Sequence, residues 1–294
     1  MYSTTWSILI PAYRCNPYLP ACIRSVLSQD PGPESLQIAV VNDDPADFAC
    51  ANVVAACGGS RIEYHYNPKN LGAGGNFNRC IALARHDLVL ILHGDCLLKQ
   101  GFIAQLTTLA LAHPDVGMIA CRAEGIDEHG IVNWISMRYP SFESPTWDDR
   151  PIWKSLHLMP SAIVVRRDVY ARLGGFREDI ANGQDWEMWG RIIRASGIVM
   201  TPDVLACYRQ HGGSITGQTC RSGQNPQEFA KLHTLLAADR PGYPLSEMKR
   251  NLRGMAYEQA RFFGRSGDRE AAAANFRVWR QLTPLSQRLI AFAK

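Results

Sequence analysis

The chain runs to 294 residues, of which 46% are hydrophobic and 20% charged, with a net charge of +4. That length suits about two domains with a substantial core, and the composition excludes collagen, coiled-coil, low-complexity and disordered classes. The charge is uneven: residues 241–294 hold ten Lys or Arg against four Asp or Glu, so the basic excess belongs to the C-terminal region and no nucleic-acid partner is expected.

The longest aliphatic stretches, such as residues 88–92, fall far short of the ~18 apolar residues that span a bilayer. No basic cluster precedes an apolar run at the N-terminus, and residues 8–10 lead straight into Pro11, which predicts a cytoplasmic chain without a signal peptide. The nine cysteines include no CxxC pair; Cys15/Cys22 and Cys50/Cys57 lie seven apart within apolar helical patterns, the spacing of buried thiols.

Residues 1–120 alternate short aliphatic runs with amphipathic stretches, the pattern of repeated strand and helix units around a mostly parallel sheet. Strands are predicted at 7–10, 36–41, 61–66, 88–92 and 116–120, and helices at 18–28, 48–56, 75–84 and 101–112. Leu19, Ile23, Val26 and Leu27 give the first helix its buried stripe. From 124 to 160 the pattern loosens into a long segment carrying Trp134, Tyr139, Phe142, Trp147, Trp153 and His157, and long aromatic loops beside an α/β sheet usually have a task. A strand at 162–165, a helix at 168–173, the Gly174-Gly175-Phe176 turn, a helix at 186–194 and strands at 198–200 and 204–208 complete the sheet.

Beyond His211, a stretch of Gly, Ser, Thr and Gln up to Pro226 reads as a mobile loop. Amphipathic helices at 255–263 and 270–282 follow, with Tyr257, Ala260, Phe276 and Trp279 on their shared face. The organisation expected is a domain over 1–224 and a small helical region over 225–294.

Ligands of open α/β sheets sit beyond the carboxyl ends of the strands. The residues there are unusually polar: Pro11-Ala12-Tyr13-Arg14, Asn42-Asp43-Asp44, Asn67-Pro68-Lys69-Asn70-Leu71-Gly72 and His93-Gly94-Asp95. One such cluster is ordinary helix capping; four on one edge point to a pocket. The first turn lacks glycine and Gly72-Ala73-Gly74-Gly75 is followed by Asn76-Phe77, which argues against a dinucleotide site. His93 and Asp95, two apart, point to one side if the strand continues. Asp95 then either holds a divalent cation or caps the next turn. Asp185, opening a helix in Gly183-Gln184-Asp185-Trp186, is equally open between a chemical role and a cap.

In their order these fragments resemble the family 2 glycosyltransferases of the GT-A fold, over about residues 7–214. The resemblance rests on six motifs: the Pro11-Ala12-Tyr13 turn, the paired acids Asp43-Asp44, Asn70 to Asn78, His93-Gly94-Asp95 in place of DxD, Gly174-Gly175-Phe176 with Gln184-Asp185-Trp186, and Tyr208 to Ser214. Two positions depart from the family, His93 for the first DxD carboxylate and Gln184 for the acid before the catalytic Asp. Both remove negative charge, although imidazole is a competent ligand for Mn²⁺.

The resemblance implies an inverting transferase that moves a sugar from a nucleotide diphosphate, UDP-linked, to an acceptor hydroxyl. In it Pro11, Ala12, Tyr13 and Asp43 would hold base and ribose, and Gly72, Asn78, His93 and Gly94 would shape the donor cleft. Asp95 with His211 would hold Mn²⁺ or Mg²⁺ against the diphosphate, and Asp185 would be the general base. Trp134, Trp147 and Trp153 are candidates for the acceptor platform, since indoles offer an apolar face and a polar edge. The acceptor expected is a glycan, a lipid-linked molecule or a small molecule, with peripheral contact at the inner face of a membrane through the basic C-terminal region as the lipid-linked case. The alternatives are a catalytically silent nucleotide-sugar-binding protein and a sugar nucleotidyltransferase, which would need a Gly-rich N-terminal loop.

Overall fold

The computed structural model describes residues 4–283; Arg288 of the basic tail lies outside the described residues. In chain order the elements are β1 (Trp6–Ala12), α1 (Leu19–Leu27), β2 (Leu36–Asn42), α2 (Ala49–Gly58), β3 (Glu63–Tyr66), α3 (Gly72–Leu83), β4 (Leu88–Ile91), β5 (Leu97–Leu98), α4 (Phe102–Ala112), β6 (Met118–Ile126), β7 (Val132–Ile135), β8 (Ile163–Arg166), α5 (Arg167–Leu173), α6 (Gln184–Ser196), β9 (Ile198–Arg209), α7 (Ile215–Ser222), α8 (Asn225–Ala238), α9 (Leu245–Arg265) and α10 (Arg269–Leu282). Their contacts define two compact units. One holds the described residues up to Glu178 together with Met188–Gln210; the other holds Asp179–Glu187 and the described residues from His211 on.

The first unit is a nine-stranded sheet in the order β3-β2-β1-β4-β8-β6-β9-β5, with β7 paired to β6. Every residue of β1 and β2 is buried, as expected of strands covered on both faces, and this explains their unbroken aliphatic runs. The polar exception Ser7 is satisfied: its hydroxyl donates to Gln37 Oε1 at 2.7 Å and accepts the amides of Arg85 and His86. Helix α1 buries Leu19, Cys22, Ile23 and Val26, a helical stripe, with Pro20 in the first turn where its missing N–H costs nothing.

The sheet is parallel across β3-β2-β1-β4, where helices make the crossovers. Beyond β4 it is mixed rather than mostly parallel: β8 runs antiparallel to both β4 and β6, and β5 and β7 are antiparallel to their partners. For β7 and β8 the physical reason is that the chain reverses at the tight turn after β6, where Gly130 N donates to Asp127 O, and β8 then runs in the same direction as β7, so both lie antiparallel to β6. β9 is one strand rather than the two expected; its pairing with β6 shifts register around Thr201, Pro202 and Asp203, where proline interrupts the ladder. All nine cysteines are unpaired thiols, seven of them buried.

In the second unit, residues 215–222 form helix α7 where a mobile loop was expected. Caps rather than apolar content define it. The Ser214 hydroxyl accepts the Gly217 amide at 3.1 Å, and Gly223 closes the other end at φ 73°. Helix α8 was not foreseen, and α9 starts ten residues earlier than the sequence suggested. The expected hairpin core is present: Trp279 packs on Tyr257 and Phe276, and the Asp268 carboxylate caps α10 by accepting the Ala271 amide.

Within the first unit, α3 is fastened to the turn after α5 by one side chain. Asn78 Oδ1 accepts the Phe176 amide at 2.7 Å, while Nδ2 donates to Phe176 O at 3.0 Å and Glu178 Oε1 at 2.9 Å. A Cβ at Gly175 would stand 2.0 Å from Asn78 Oδ1. Gly175→Ala is therefore expected to lower stability by about 2 kcal/mol or more, and Asn78→Ala by about 1–3 kcal/mol, in chemical denaturation. Equal stability of both variants and the parent would contradict this fastening.

Candidate active site

Backbone hydrogen bonds sew the carboxyl ends of the first four parallel strands together. The Asp43 amide donates to Ala12 O at 2.8 Å, Asn67 N to Asn42 O at 2.8 Å and Gly94 N to Pro11 O at 3.3 Å. Pro11, Ala12, Asp43 and Gly94 thus lie on one edge, as expected. Only glycine fits at 94, where a Cβ would come within 2.6 Å of Cys15 Sγ and 3.3 Å of Pro11 O. Tyr13 is exposed, and the Arg14 guanidinium lies 4.9 Å from the centre of its ring while bonding Asp44 at 2.9 Å. That bond holds the Asp44 carboxyl below the usual carboxylate range.

Asp43 is only 2% exposed, yet its carboxylate is half used. Oδ1 accepts from Asn67 Nδ2 at 2.8 Å and from Leu71 N at 2.9 Å, whereas Oδ2 takes no hydrogen bond from the described residues. Asn67 also donates to Asn76 Oδ1, whose own amide donates to Val41 O, so Asp43 stands on a buried amide network. Gly72, at φ 72°, starts α3 and donates to Asn70 Oδ1 at 3.0 Å. Asn78, expected to shape the donor cleft, spends its amide on the Gly-Gly-Phe turn.

After β4 the chain closes a tight turn, with Cys96 N donating to His93 O at 2.9 Å. One ring nitrogen of His93, one Asp95 carboxylate oxygen and Cys96 Sγ lie within 4.8 Å of one another, a set able to hold a metal ion. Cys96 Sγ is 3.2 Å from Asp95 Oδ1. The His93 ring stacks on Phe77, with centroids 5.1 Å apart and planes at 15°, and its Nε2 is buried without a partner among the described residues. Burial lowers the His93 pKa, so the imidazole is neutral and able to ligate. An orphaned ring nitrogen beside a carboxylate fits a bound cation, and the nitrogen donor suits Mn²⁺ better than Mg²⁺. Arg209 fixes this turn: Nε donates to Asp95 O at 2.9 Å, Nη1 to Asp127 O at 2.8 Å, and the guanidinium lies over the Tyr18 ring at 4.8 Å.

The three tryptophans are not brought together. Trp134 lies at the carboxyl edge, its Nε1 donating to Gln210 Oε1 at 2.7 Å beside Tyr208. Trp147 packs against Gly197 at the opposite, amino-terminal end of β9, and Trp153 is held by Asp149, which also meets Arg194 near that end.

Asp185 belongs to the second unit, in the segment 179–187 that α8 and α7 hold. Glu228 accepts the Ala181 amide, and Asn182 donates to Asn225 Oδ1 at 2.7 Å and Thr219 Oγ1 at 3.2 Å. Gly183 turns at φ 90° with a Cβ position 2.9 Å from both Leu232 and Phe229, and Trp186 packs edge-on against Phe229 and His233. The buried Gln184 amide, with nitrogen toward the loop, donates to Ile180 O at 2.9 Å and Ala181 O at 3.2 Å. Asp185 Oδ1 accepts the Trp186 amide, and desolvation raises its pKa to about 6. His211 heads the remainder of this unit, its carbonyl accepting from Ser214.

Asn67 and Arg209 were not assigned roles from sequence, although both lie inside quoted motifs. The hold of α8 on the Asp185 segment left no sequence signal.

Comparison with known proteins follows the same lines. The family model "Glycosyl transferase family 2" matches residues 7–174, more than half of the chain, so the chain belongs to that family and is a glycosyltransferase. An uncharacterised protein of Mycobacterium tuberculosis is 29% identical over 250 residues, 79% of this chain and 76% of its own. An uncharacterised glycosyltransferase of Rickettsia felis is 27% identical over 221 residues; this chain spans 35% of its length. Among solved structures, S. aureus TarS 1-349 in complex with UDP-GlcNAc matches with TM-score 0.66 at 15% identity, over 96% of this chain and 82% of that one. A mannosyltransferase from Pyrobaculum calidifontis in complex with GDP-Man and Mn²⁺ matches with TM-score 0.59 at 16% identity, over 100% and 80%. The GT-A fold expected from the resemblance is the one found.

A raised carboxyl pKa carries a stability cost of definite sign. With the folded pKa about 6 against an ordinary 3.8, the folded state loses stability as pH rises through this window, at about 1.4 kcal/mol per pH unit. Asp185→Asn is expected to be more stable than the parent by about 2 kcal/mol at pH 8 and nearly neutral at pH 4, read by denaturant titration. The reverse order would show that the carboxylate is held by favourable partners.

Proposed function

We propose that the protein is an inverting glycosyltransferase that uses a UDP-linked sugar, and that Asp185 is its base. The observation that carries this is the Asp185 carboxyl, whose proton affinity is raised to about 6 by burial and so matches general-base work near neutrality. In the reaction the acceptor hydroxyl gives its proton to Asp185 as its oxygen attacks the anomeric carbon. The bond from that carbon to the diphosphate oxygen breaks, and its electron pair leaves on the diphosphate. One base suffices for inversion.

The donor side is assigned to the edge carrying Pro11, Ala12, Tyr13 and Asp43. The unused Oδ2 of Asp43 is an acceptor suited to the imide N–H of uracil, and Tyr13 offers an exposed ring against the base. Asp95 and His93 would hold Mn²⁺ or Mg²⁺, and such an ion supplies positive charge against the leaving diphosphate. Gly72 at the start of α3 and Gly94 beside Pro11 let backbone approach the donor. Trp134, at the same edge, is the candidate for contact with the acceptor. Residues 1–224 would make up the transferase domain and 225–294 the helical region that supports Asp185.

Among the described residues no helix is long and apolar enough to cross a membrane. Lys249, Arg250, Arg261 and Arg265 of α9 and Arg269, Arg277 and Arg280 of α10 are exposed, a basic face suited to anionic lipid if the acceptor is lipid-linked. Salt-sensitive co-sedimentation with anionic but not neutral liposomes would support that acceptor class, and absence of binding at low salt would remove it.

Asp185→Asn is expected to keep UDP affinity and lose about 10²–10⁴ in turnover, and proton NMR of the product from an α-linked donor should show a β-linkage. Full activity of the variant, or an α-linked product, would overturn the assignment; nucleotide-sugar binding without turnover in the parent would identify a silent binding protein.

A further inference from the structure

The donor atoms around Asp95 differ from an all-carboxylate site in a way that bears on which ion they take. The turn closed by Cys96 N on His93 O sets residues 93, 95 and 96 side by side, so a ring nitrogen, a carboxylate oxygen and a thiol sulfur converge within 4.8 Å. Two ligands on one ion, each about 2.0–2.3 Å away, stand ~3–4 Å apart, so a small inward movement brings all three onto one cation. The turn has little freedom to do otherwise. Arg209 grips the Asp95 carbonyl at 2.9 Å, Gly94 is wedged against Cys15 and Pro11, and the His93 ring lies flat on Phe77. The Cys96 sulfur already faces Asp95 Oδ1 at 3.2 Å, and the buried His93 Nε2 has no partner among the described residues. Cys22, the neighbouring thiol, donates instead to His93 O at 3.6 Å.

We propose that Cys96 is a third protein ligand of the cation site, and that this mixed nitrogen, oxygen and sulfur set selects transition ions over Mg²⁺. The inference rests on the reading that His93 and Asp95 hold the donor's cation. Imidazole and thiolate are ligands for borderline and soft ions, and affinity for such a set rises from Mn²⁺ through Co²⁺. Mg²⁺ prefers oxygen ligands at near-ideal octahedral geometry and retains water, which a buried sulfur does not reproduce. Zn²⁺ is expected to compete more strongly than Mn²⁺ or Co²⁺ for a set that contains a thiolate.

The test is an optical titration of the full chain with Co²⁺, with and without UDP. A sulfur-to-cobalt charge-transfer band in the near ultraviolet is expected, retained in Cys22→Ser and lost in Cys96→Ser, with Co²⁺ affinity in Cys96→Ser falling about tenfold or more. Equimolar Zn²⁺ should displace Co²⁺, and a large excess of Mg²⁺ should not. Because Cys96 is buried, Cys96→Ala serves as a second variant should Cys96→Ser fold poorly, and the band should be absent from it as well. Co²⁺ bound without the band, a band that survives in Cys96→Ser, or ready displacement by Mg²⁺ would overturn the proposal. If Co²⁺ binds without the band and Asp95→Asn abolishes binding, only the sulfur role falls. If no cation binds with or without UDP, the reading of His93 and Asp95 as the cation site falls with it.

Discussion

Desolvation of one carboxyl group is the constraint around which the second unit is organised. A solvated aspartate has too little affinity for a proton to serve as base near neutrality, and burial is what raises it. Burial has to be imposed on a loop that would otherwise open to water. Here Gly183 turns in the left-handed region where a side chain would collide with Leu232 and Phe229, Trp186 is boxed by Phe229 and His233, and Ala181 and Asn182 are hydrogen-bonded to α8 and α7. His233, itself depressed to about 4 by burial and bonded to Tyr243, adds no positive charge that would pull the Asp185 pKa back down. The helices of the second unit are in this sense what keeps the Asp185 carboxyl out of water.

The first unit treats its carboxylates in the opposite way. Asp44 is bonded by Arg14, which holds its carboxyl below the usual carboxylate range, and Asp43 is supplied with an amide and a backbone N–H while little of its surface is exposed. The two departures from the family pattern have local physical explanations. At position 184 an amide nitrogen faces two carbonyl oxygens, where a carboxylate would place oxygen against oxygen. At position 93 a flat ring completes an aromatic column that runs through Phe77 and Phe176 to Trp189 at centroid steps of 5.1, 5.3 and 5.7 Å. An aspartate there could not stack.

Much of the sheet was legible because β1, β2 and β4 are continuous aliphatic runs ending in polar clusters, and burial on both faces leaves that trace directly in sequence. β5, only two residues long, and β7, largely exposed, carry no comparable pattern. Helix α7 was hidden because Ser214 and Gly223 define it while its interior is polar. The convergence of Pro11, Asp43, Gly94 and Asp95 on the sheet edge follows from strand polarity alone. What sequence could not supply was the use each group makes of its bonds. That the Asn78 amide is tied to Phe176, and that Trp147 packs against Gly197 at the amino-terminal end of β9, is visible only in the structure. Arg209 reads as one member of a motif until its guanidinium is seen gripping Asp95 O.

The central claim is that the fold keeps the Asp185 carboxyl protonated at least two pH units above a solvated aspartate. Carbon NMR of side-chain carboxyls in the labelled full chain, with the Asp185 signal identified by its loss in Asp185→Asn, measures this directly. A titration midpoint near 6 is the result expected. A midpoint near the ordinary aspartate value of about 4 would mean that the loop leaves the group solvated, and would contradict the account.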